Sequence, residues 1–200
     1  MQTIGAGSLI RLALESLREP KRCLRIVLDI VITMPELLQI TVLVASISTL
    51  MSIAFLYIEP VEVQAALTII SLNPIPLFLI QIAVFIVTAA IITFVGQLFH
   101  GVATFKEALT ALIWMQFIMF GVSFAQLLLI MFIPALNSIT AMITLLIFIH
   151  LTVSFIMEIH GFTNIFAVIT GIVATFFGVA FVLAIILILM GFTPEAVQNV

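Results

Sequence analysis

Residues 155–166 read FIMEIHGFTNIF and interrupt two long uncharged stretches. Charged residues make up 8% of the chain, so Glu158 and the nearby His160 are rare polar residues in an apolar background. The 50 residues between Glu107 and Glu158 carry no charge, and neither do the 36 between Glu158 and Glu195. About 20 apolar residues suffice to cross a bilayer. The passage therefore predicts a short polar turn between two membrane spans, with Glu158 and His160 in water.

The composition indicates an integral membrane protein. Hydrophobic residues make up 64% of the chain and the mean hydropathy is +1.46, whereas soluble domains are roughly half apolar. The net charge of -3 gives no basic footprint for nucleic acid. Because Cys23 is the only cysteine, an internal disulfide is excluded and a thiolate metal cluster is not expected.

The spacing of the charged residues predicts five spans. The stretch of 22 uncharged residues after Glu36 holds one span, the 50-residue stretch is divided near Pro134 and Asn137, and the last stretch holds one. The 43 uncharged residues after Glu62 hold one more, because residues 60–76 fit a polar-faced helix lying in the membrane interface. The predicted fold is all-α, with spans at 37–57, 77–99, 108–132, 138–157 and 164–190.

Charge asymmetry predicts the orientation. Five of the six basic residues precede the first span, which places the N-terminus in the cytoplasm. With five spans Lys106 is also cytoplasmic, whereas six spans would move it outside and weaken the bias. We therefore expect a cytoplasmic segment at 1–35, a membrane domain at 36–192 and an external tail at 193–200.

Two capping boxes agree with these boundaries. Thr33 with Glu36, and Thr104 with Glu107, have the spacing at which a hydroxyl and a carboxylate three residues later satisfy the first amides of a helix. Gly161 is placed to end the fourth span.

The N-terminal segment predicts two short amphipathic helices, at 8–18 and 21–32. In the second, Leu24, Val27, Leu28 and Val31 share a face opposite the basic residues. Such a helix suits an anionic leaflet, although it could instead cap the bundle or recruit a partner. The candidate lipid contacts are Arg11, Arg18, Lys21, Arg22 and Arg25.

Two segments resemble a known family. GVATFKEALTALIWM (101–115) and MEIHGFTNIFAVITGI (157–172) are similar to segments of bacterial members of the YIP family, the Ypt/Rab-interacting membrane proteins. The resemblance covers about 37–190 and implies five spans with a cytoplasmic N-terminus, here in a bacterial cytoplasmic (inner) membrane. Eukaryotic members act in vesicle traffic with small GTPases and have a longer N-terminal region. Because residues 1–35 are shorter than that N-terminal region, the resemblance implies the fold of the family and not its activity in vesicle traffic.

No set of residues predicts catalysis. The chain has no Ser/His/Asp set, HExxH or glycine-rich phosphate loop, and we expect no cofactor or metal. The favoured function is a non-enzymatic membrane-organising or scaffolding protein that contacts lipids and other membrane proteins, as a homo- or hetero-oligomer. The alternatives are an accessory subunit of a larger membrane complex and a small-solute transporter or channel.

Two packing predictions concern the spans. Small residues that recur at helical spacing predict close helix packing in span five; they are Ala167, Gly171, Thr175 and Gly178. Gln116 and His150 lie at matching depths on spans three and four, which predicts a hydrogen bond between them with Trp114 covering the pair. The alternative is that His150 bonds Thr152, Ser154 or a backbone carbonyl.

Overall fold

The computed structural model describes residues 6–56 and 74–189. All regular structure in these two ranges is helical, which confirms the all-α prediction. The helices are α1 (Ala6–Ser16), α2 (Pro20–Leu28), α3 (Met34–Leu56), α4 (Pro74–Leu98), α5 (Phe105–Phe132), α6 (Asn137–His160) and α7 (Ile165–Leu189), with a 3₁₀ turn at Pro134–Leu136. The chain forms two compact units, Met1–Gly161 and Phe162–Val200.

Five of the described helices are long and apolar enough to cross a membrane. They correspond to the predicted spans and extend over Met34–Phe55, Pro74–Leu98, Phe105–Phe132, Pro134–His160 and Ile165–Ile186. The proposed interfacial helix at 60–76 lies largely outside the described residues, as does the tail at 193–200.

The predicted helix ends are largely confirmed. Thr104 and Glu107 form a complete capping box at the start of α5. At the start of α3, the Glu36 carboxylate accepts from both the amide and the hydroxyl of Thr33, each at 2.7 Å. Gly161 ends α6 in the left-handed conformation with φ of 72°, a conformation that glycine adopts without a Cβ penalty.

Helix α5 is the centre of the first unit. It packs against α1, α2, α3, α4 and α6. Its segment from Ala108 to Met115 is buried on all sides, since every residue in it is buried. An apolar helix buried all round needs neighbours on every face, and α5 therefore organises the other helices of this unit.

Helix α4 ends in a tight turn that has a non-glycine residue at its left-handed position. The Gly101 amide donates to the Gly96 carbonyl at 2.8 Å and the His100 amide donates to the Gln97 carbonyl at 3.0 Å. These two bonds define a Schellman motif with His100 at C′, where φ is 63°. Glycine is usual at this position because a Cβ is strained there.

In the part of the second unit that the structure describes, a short segment leads into α7. The Asn164 side-chain oxygen accepts from the amides of Phe166 and Ala167 at 3.0 and 3.2 Å. These bonds satisfy two of the first free amides of α7. Within the helix, the Thr175 hydroxyl donates to the Gly171 carbonyl at 2.7 Å. The hydroxyl in the small-residue strip is therefore hydrogen-bonded within its own helix. Packing of another helix against this strip, formed by Ala167, Gly171, Thr175 and Gly178, stays a prediction.

Candidate functional site

The N-terminal cap, which we define as residues 6–28 with α1, α2 and the turn between them, covers one end of the first unit. At this end α4 and α6 finish and α5 begins. Helix α2 packs against α5 and α6, and α1 packs against α5. The buried face of α2 includes Cys23, Leu24 and Val27, which are 1%, 0% and 7% exposed. Because α2 contributes these side chains to the protein interior, it is part of the first unit and does not merely lie beside it.

This packing corrects the predicted lipid face of α2. Leu24 and Val27 belong to the hydrophobic core of the protein and are not free to enter the membrane interface. Val31 was expected on the same face, but α2 ends at Leu28 and Val31 is 94% exposed. An amphipathic pattern shows which face is buried and leaves open whether lipid or protein buries it.

An ion pair fixes α2 to the end of α6. Nε of Arg25 donates to Oε1 of Glu158 at 2.7 Å, and the Nη2 group of Arg25 donates to the same oxygen. The Glu158 side chain is 13% exposed, whereas Arg25 is 72% exposed. Glu158 therefore needs its partner more than Arg25 does, because an unpaired charge becomes more costly as it is removed from water. The expectation that Glu158 lies in water is wrong, because most of its side chain is covered by protein.

A buried hydrogen bond fixes α1 to α5. Nε1 of Trp114 donates to the Ser16 hydroxyl at 3.2 Å, and that hydroxyl donates to the Leu12 carbonyl at 2.8 Å. Ser16 is 0% and Trp114 6% exposed. Trp114 also stacks on Phe117 with ring centroids 5.4 Å apart. Sequence reasoning missed Ser16, whose position on the inward face with Leu9, Leu12 and Ala13 was the available signal.

His160 is enclosed between α4 and α6. It is 3% exposed, and Nε2 of its ring lies 3.1 Å from the Ile92 carbonyl oxygen, which accepts the ring hydrogen. A Cβ added at Gly96 or Gly101 would overlap the imidazole ring. The prediction that His160 faces water is wrong, because these two glycines leave room for the ring at the end of α4. Two glycines five residues apart at a span end were the signal in the sequence.

The basic residues of the N-terminal cap are partly neutralised. Arg11 pairs with Glu15 on the same helix and Arg22 pairs with Glu19, each at 2.9 Å. The Glu19 carboxylate raises the pKa of the Arg22 guanidinium. Arg25 pairs with Glu158. Of the five candidate lipid contacts, Arg18 and Lys21 are exposed and form no ion pair within the described ranges.

Exposed apolar side chains accompany these two free cations. Ile10 and Leu14 lie one turn apart on α1 and are 57% and 64% exposed. The cap therefore combines an inward apolar face, which packs on the bundle, with an outward surface of both basic and apolar side chains. A surface of this composition is typical of contact with the boundary between lipid headgroups and acyl chains.

The predicted bond between Gln116 and His150 is wrong. Nε2 of Gln116 donates to the Ser48 hydroxyl on α3 at 3.2 Å. His150 is exposed on α6, and Nε1 of Trp114 donates to Ser16 on α1. The alternative bonds to Thr152 and Ser154 are not present in the described residues; Thr152 donates to the Phe148 carbonyl at 2.7 Å. The matching depth of the two residues in the membrane stays a prediction, and the rotation of each helix decides which side chains meet.

Two further glutamines in the spans form separate hydrogen bonds. The Thr144 hydroxyl donates to Oε1 of Gln126 at 2.9 Å, and Nε2 of Gln97 donates to the Ala103 carbonyl at 3.1 Å. In the described ranges no three His, Cys, Asp or Glu residues are grouped so that they could hold a metal ion. These polar groups connect neighbouring helices or close a turn, and they do not converge on a common cavity.

No protein-family profile, curated protein or solved structure matches the chain.

Proposed function

We propose that this chain is a non-enzymatic integral membrane protein that organises its surroundings through contacts with anionic lipids and other membrane proteins. The observation that carries the proposal is the outward surface of the N-terminal cap, where Arg18 and Lys21 are exposed and unpaired. Exposed Ile10 and Leu14 lie on the adjoining helix. Basic side chains beside apolar ones favour an anionic leaflet, with about 1 kcal/mol for each Lys or Arg near the surface.

The way the cap is held supports a role at the surface rather than a catalytic one. Ser16 and Arg25 connect the cap to α5 and α6, so its outward side chains are carried by a supported part of the protein. Arg11, Arg22 and Arg25 each have a carboxylate partner. We therefore assign the main lipid attraction to Arg18 and Lys21, since their charges are not already compensated.

The proposed location is a bacterial cytoplasmic membrane, with the cap in the cytoplasm and the C-terminus outside. The excess of basic residues before α3 supports this orientation. The resemblance to the YIP family, carried by residues 101–115 and 157–172, supports the same topology.

Lipid selectivity in nanodiscs tests the role of the cap. The full chain is incorporated into discs of mixed phosphatidylglycerol and phosphatidylethanolamine, and the lipids retained after detergent extraction are quantified. We expect enrichment of phosphatidylglycerol that falls severalfold in the double variant Arg18→Gln, Lys21→Gln. The conservative variant Arg18→Lys serves as the control and should keep the enrichment, because it keeps the charge.

The same preparations show whether the cap remains in place. Trp114 is the only tryptophan and is buried against α1, so its emission wavelength reports docking of that helix. Equal lipid selectivity in the native chain and the double variant, with unchanged Trp114 emission, would disprove the lipid role.

Reporter fusions test the orientation. Fusions after Lys106 and Gly161 should report the cytoplasm, and fusions after Ser71 and Val200 the outside. An outside signal from the Lys106 fusion would contradict five spans with a cytoplasmic N-terminus.

A further inference from the structure

His150 is an exposed polar residue in the middle of a membrane span. It lies on α6, ten residues before the helix ends at His160. At 1.5 Å per residue this is about 15 Å along the helix, half the thickness of a hydrocarbon core of about 30 Å. No hydrogen bond or ion pair involves His150 in the described ranges. Acyl chains offer no hydrogen-bond partner, so an exposed imidazole at this depth requires one from another protein group.

The apolar residues around His150 form a regular stripe, which we call the His150 stripe. Its members follow one another at spacings of four, three and four residues along α6: Ile139, Ile143, Leu146 and His150. The three apolar members are 58%, 51% and 61% exposed. Alternating spacings of three and four residues bring side chains onto one seam, the pattern by which two helices interlock.

Another copy of the same chain can supply the hydrogen-bond partner that His150 requires. A neutral imidazole has one donor nitrogen and one acceptor nitrogen, so two such rings can bond each other. All copies enter the membrane in the same orientation, because one sequence determines it. In a symmetric pair with its axis along the membrane normal, a residue beside the axis meets its own copy at the same depth.

We propose that two copies of this chain pair along the His150 stripe, with the two imidazoles hydrogen-bonded across the two-fold axis. Two copies that pair along this stripe bring no like charges together, because residues 108–157 contain no charged residue. The same stretch would be a poor contact for an anionic or cationic partner helix. This inference uses only α6 and is independent of the lipid role proposed for the N-terminal cap.

Cysteine cross-linking of purified protein in vesicles tests the seam. Cys23 is the only cysteine and is first replaced by alanine. Leu146→Cys then places a thiol on the stripe, and Leu145→Cys places one about 100° around the helix at nearly the same depth. The two leucines are similarly exposed, at 61% and 55%, so the second variant is a matched control.

We expect copper phenanthroline to convert the Leu146→Cys protein to a disulfide-linked dimer and to leave most of the Leu145→Cys protein monomeric. Because only this protein is present, a species of twice the mass is a pair of identical chains. Absence of the dimer for Leu146→Cys, or equal yields from both variants, would overturn the proposal.

Substitution of His150 tests the hydrogen bond itself. His150→Leu keeps the stripe apolar but removes the bond, and it should raise the dimer dissociation constant about three- to thirtyfold, the range for a hydrogen bond between membrane helices. His150→Gln keeps a donor and an acceptor and should retain most of the affinity. Energy transfer between labelled copies in vesicles measures both constants, and Trp114 emission verifies that each variant is folded. Unchanged affinity in His150→Leu would overturn the role of the imidazole.

Discussion

Replacing Gly96 by alanine tests how closely the ends of α4 and α6 pack. Gly96 is a buried residue of α4, and an added Cβ would overlap the His160 ring. The ring has little freedom to move away, because His160 is 3% exposed and bonded to the Ile92 carbonyl at 3.1 Å. We therefore expect Gly96→Ala to displace the ring and break this hydrogen bond.

The expected loss of stability follows from three effects. Inserting a methyl group into a packed interior costs about 1–3 kcal/mol. Losing a hydrogen bond costs about 0.5–1.5 kcal/mol. Alanine favours a helix over glycine by about 1 kcal/mol, which offsets part of the loss. We expect a net decrease of about 0.5–3.5 kcal/mol in the free energy of unfolding.

A double-mutant cycle assigns the effect to the ring. Unfolding by increasing SDS in mixed micelles is measured for Gly96→Ala, for His160→Ala and for the two combined. On the His160→Ala background, Gly96→Ala should be neutral or stabilising, because the ring it overlaps is gone. Gly121→Ala is the control, since nothing lies within 4 Å of a Cβ at that position of α5. Equal stability changes for Gly96→Ala and Gly121→Ala, or additive changes in the cycle, would refute this account.

Three further predictions use the same unfolding assay. His100→Gly should stabilise the protein by about 1 kcal/mol, because glycine removes the strain of the left-handed conformation at φ of 63°; a loss of stability would mean that the His100 side chain contributes more than the strain costs. Arg25→Ala should destabilise by about 1–3 kcal/mol and Glu158→Gln by less, because only the first leaves a carboxylate that is 13% exposed without its partner; the reverse order would contradict the burial argument. Thr104→Ala should cost about 1 kcal/mol through loss of the capping box of α5, and a neutral result would show that another group caps this helix.

Local patterns in the sequence were sufficient to predict the membrane-spanning helices. The uncharged stretches located the five spans found in the described residues, and the residues of the Thr104 box and Gly161 fixed two of their ends. These features depend on residues within a few positions of one another, which a sequence displays directly. The break between α5 and α6 near Pro134 was visible for the same reason.

Contacts between distant residues could not be predicted in this way. Gln116 and His150 were predicted to meet because they lie at matching distances along their spans, but helix rotation gave Gln116 the partner Ser48 and left His150 exposed. Likewise, the amphipathic pattern of α2 identified its buried face without showing that α5 and α6 bury it. The enclosure of His160 depends on Gly96 in α4 and on Gly101 in the turn after it.

The attachment of the N-terminal cap also affects how the protein is made. Ser16 bonds a residue 98 positions later in the chain, and Arg25 pairs with one 133 positions later. At a synthesis rate of about 5–20 residues per second, Arg25 exists for about 7–27 s before the ribosome adds Glu158. During this interval α2 has no α6 to pack on, and its apolar face and cations are available to the membrane surface. Of the helices in the first unit, α1 and α2 are synthesised first, and α2 completes its contacts only once α6 has been made.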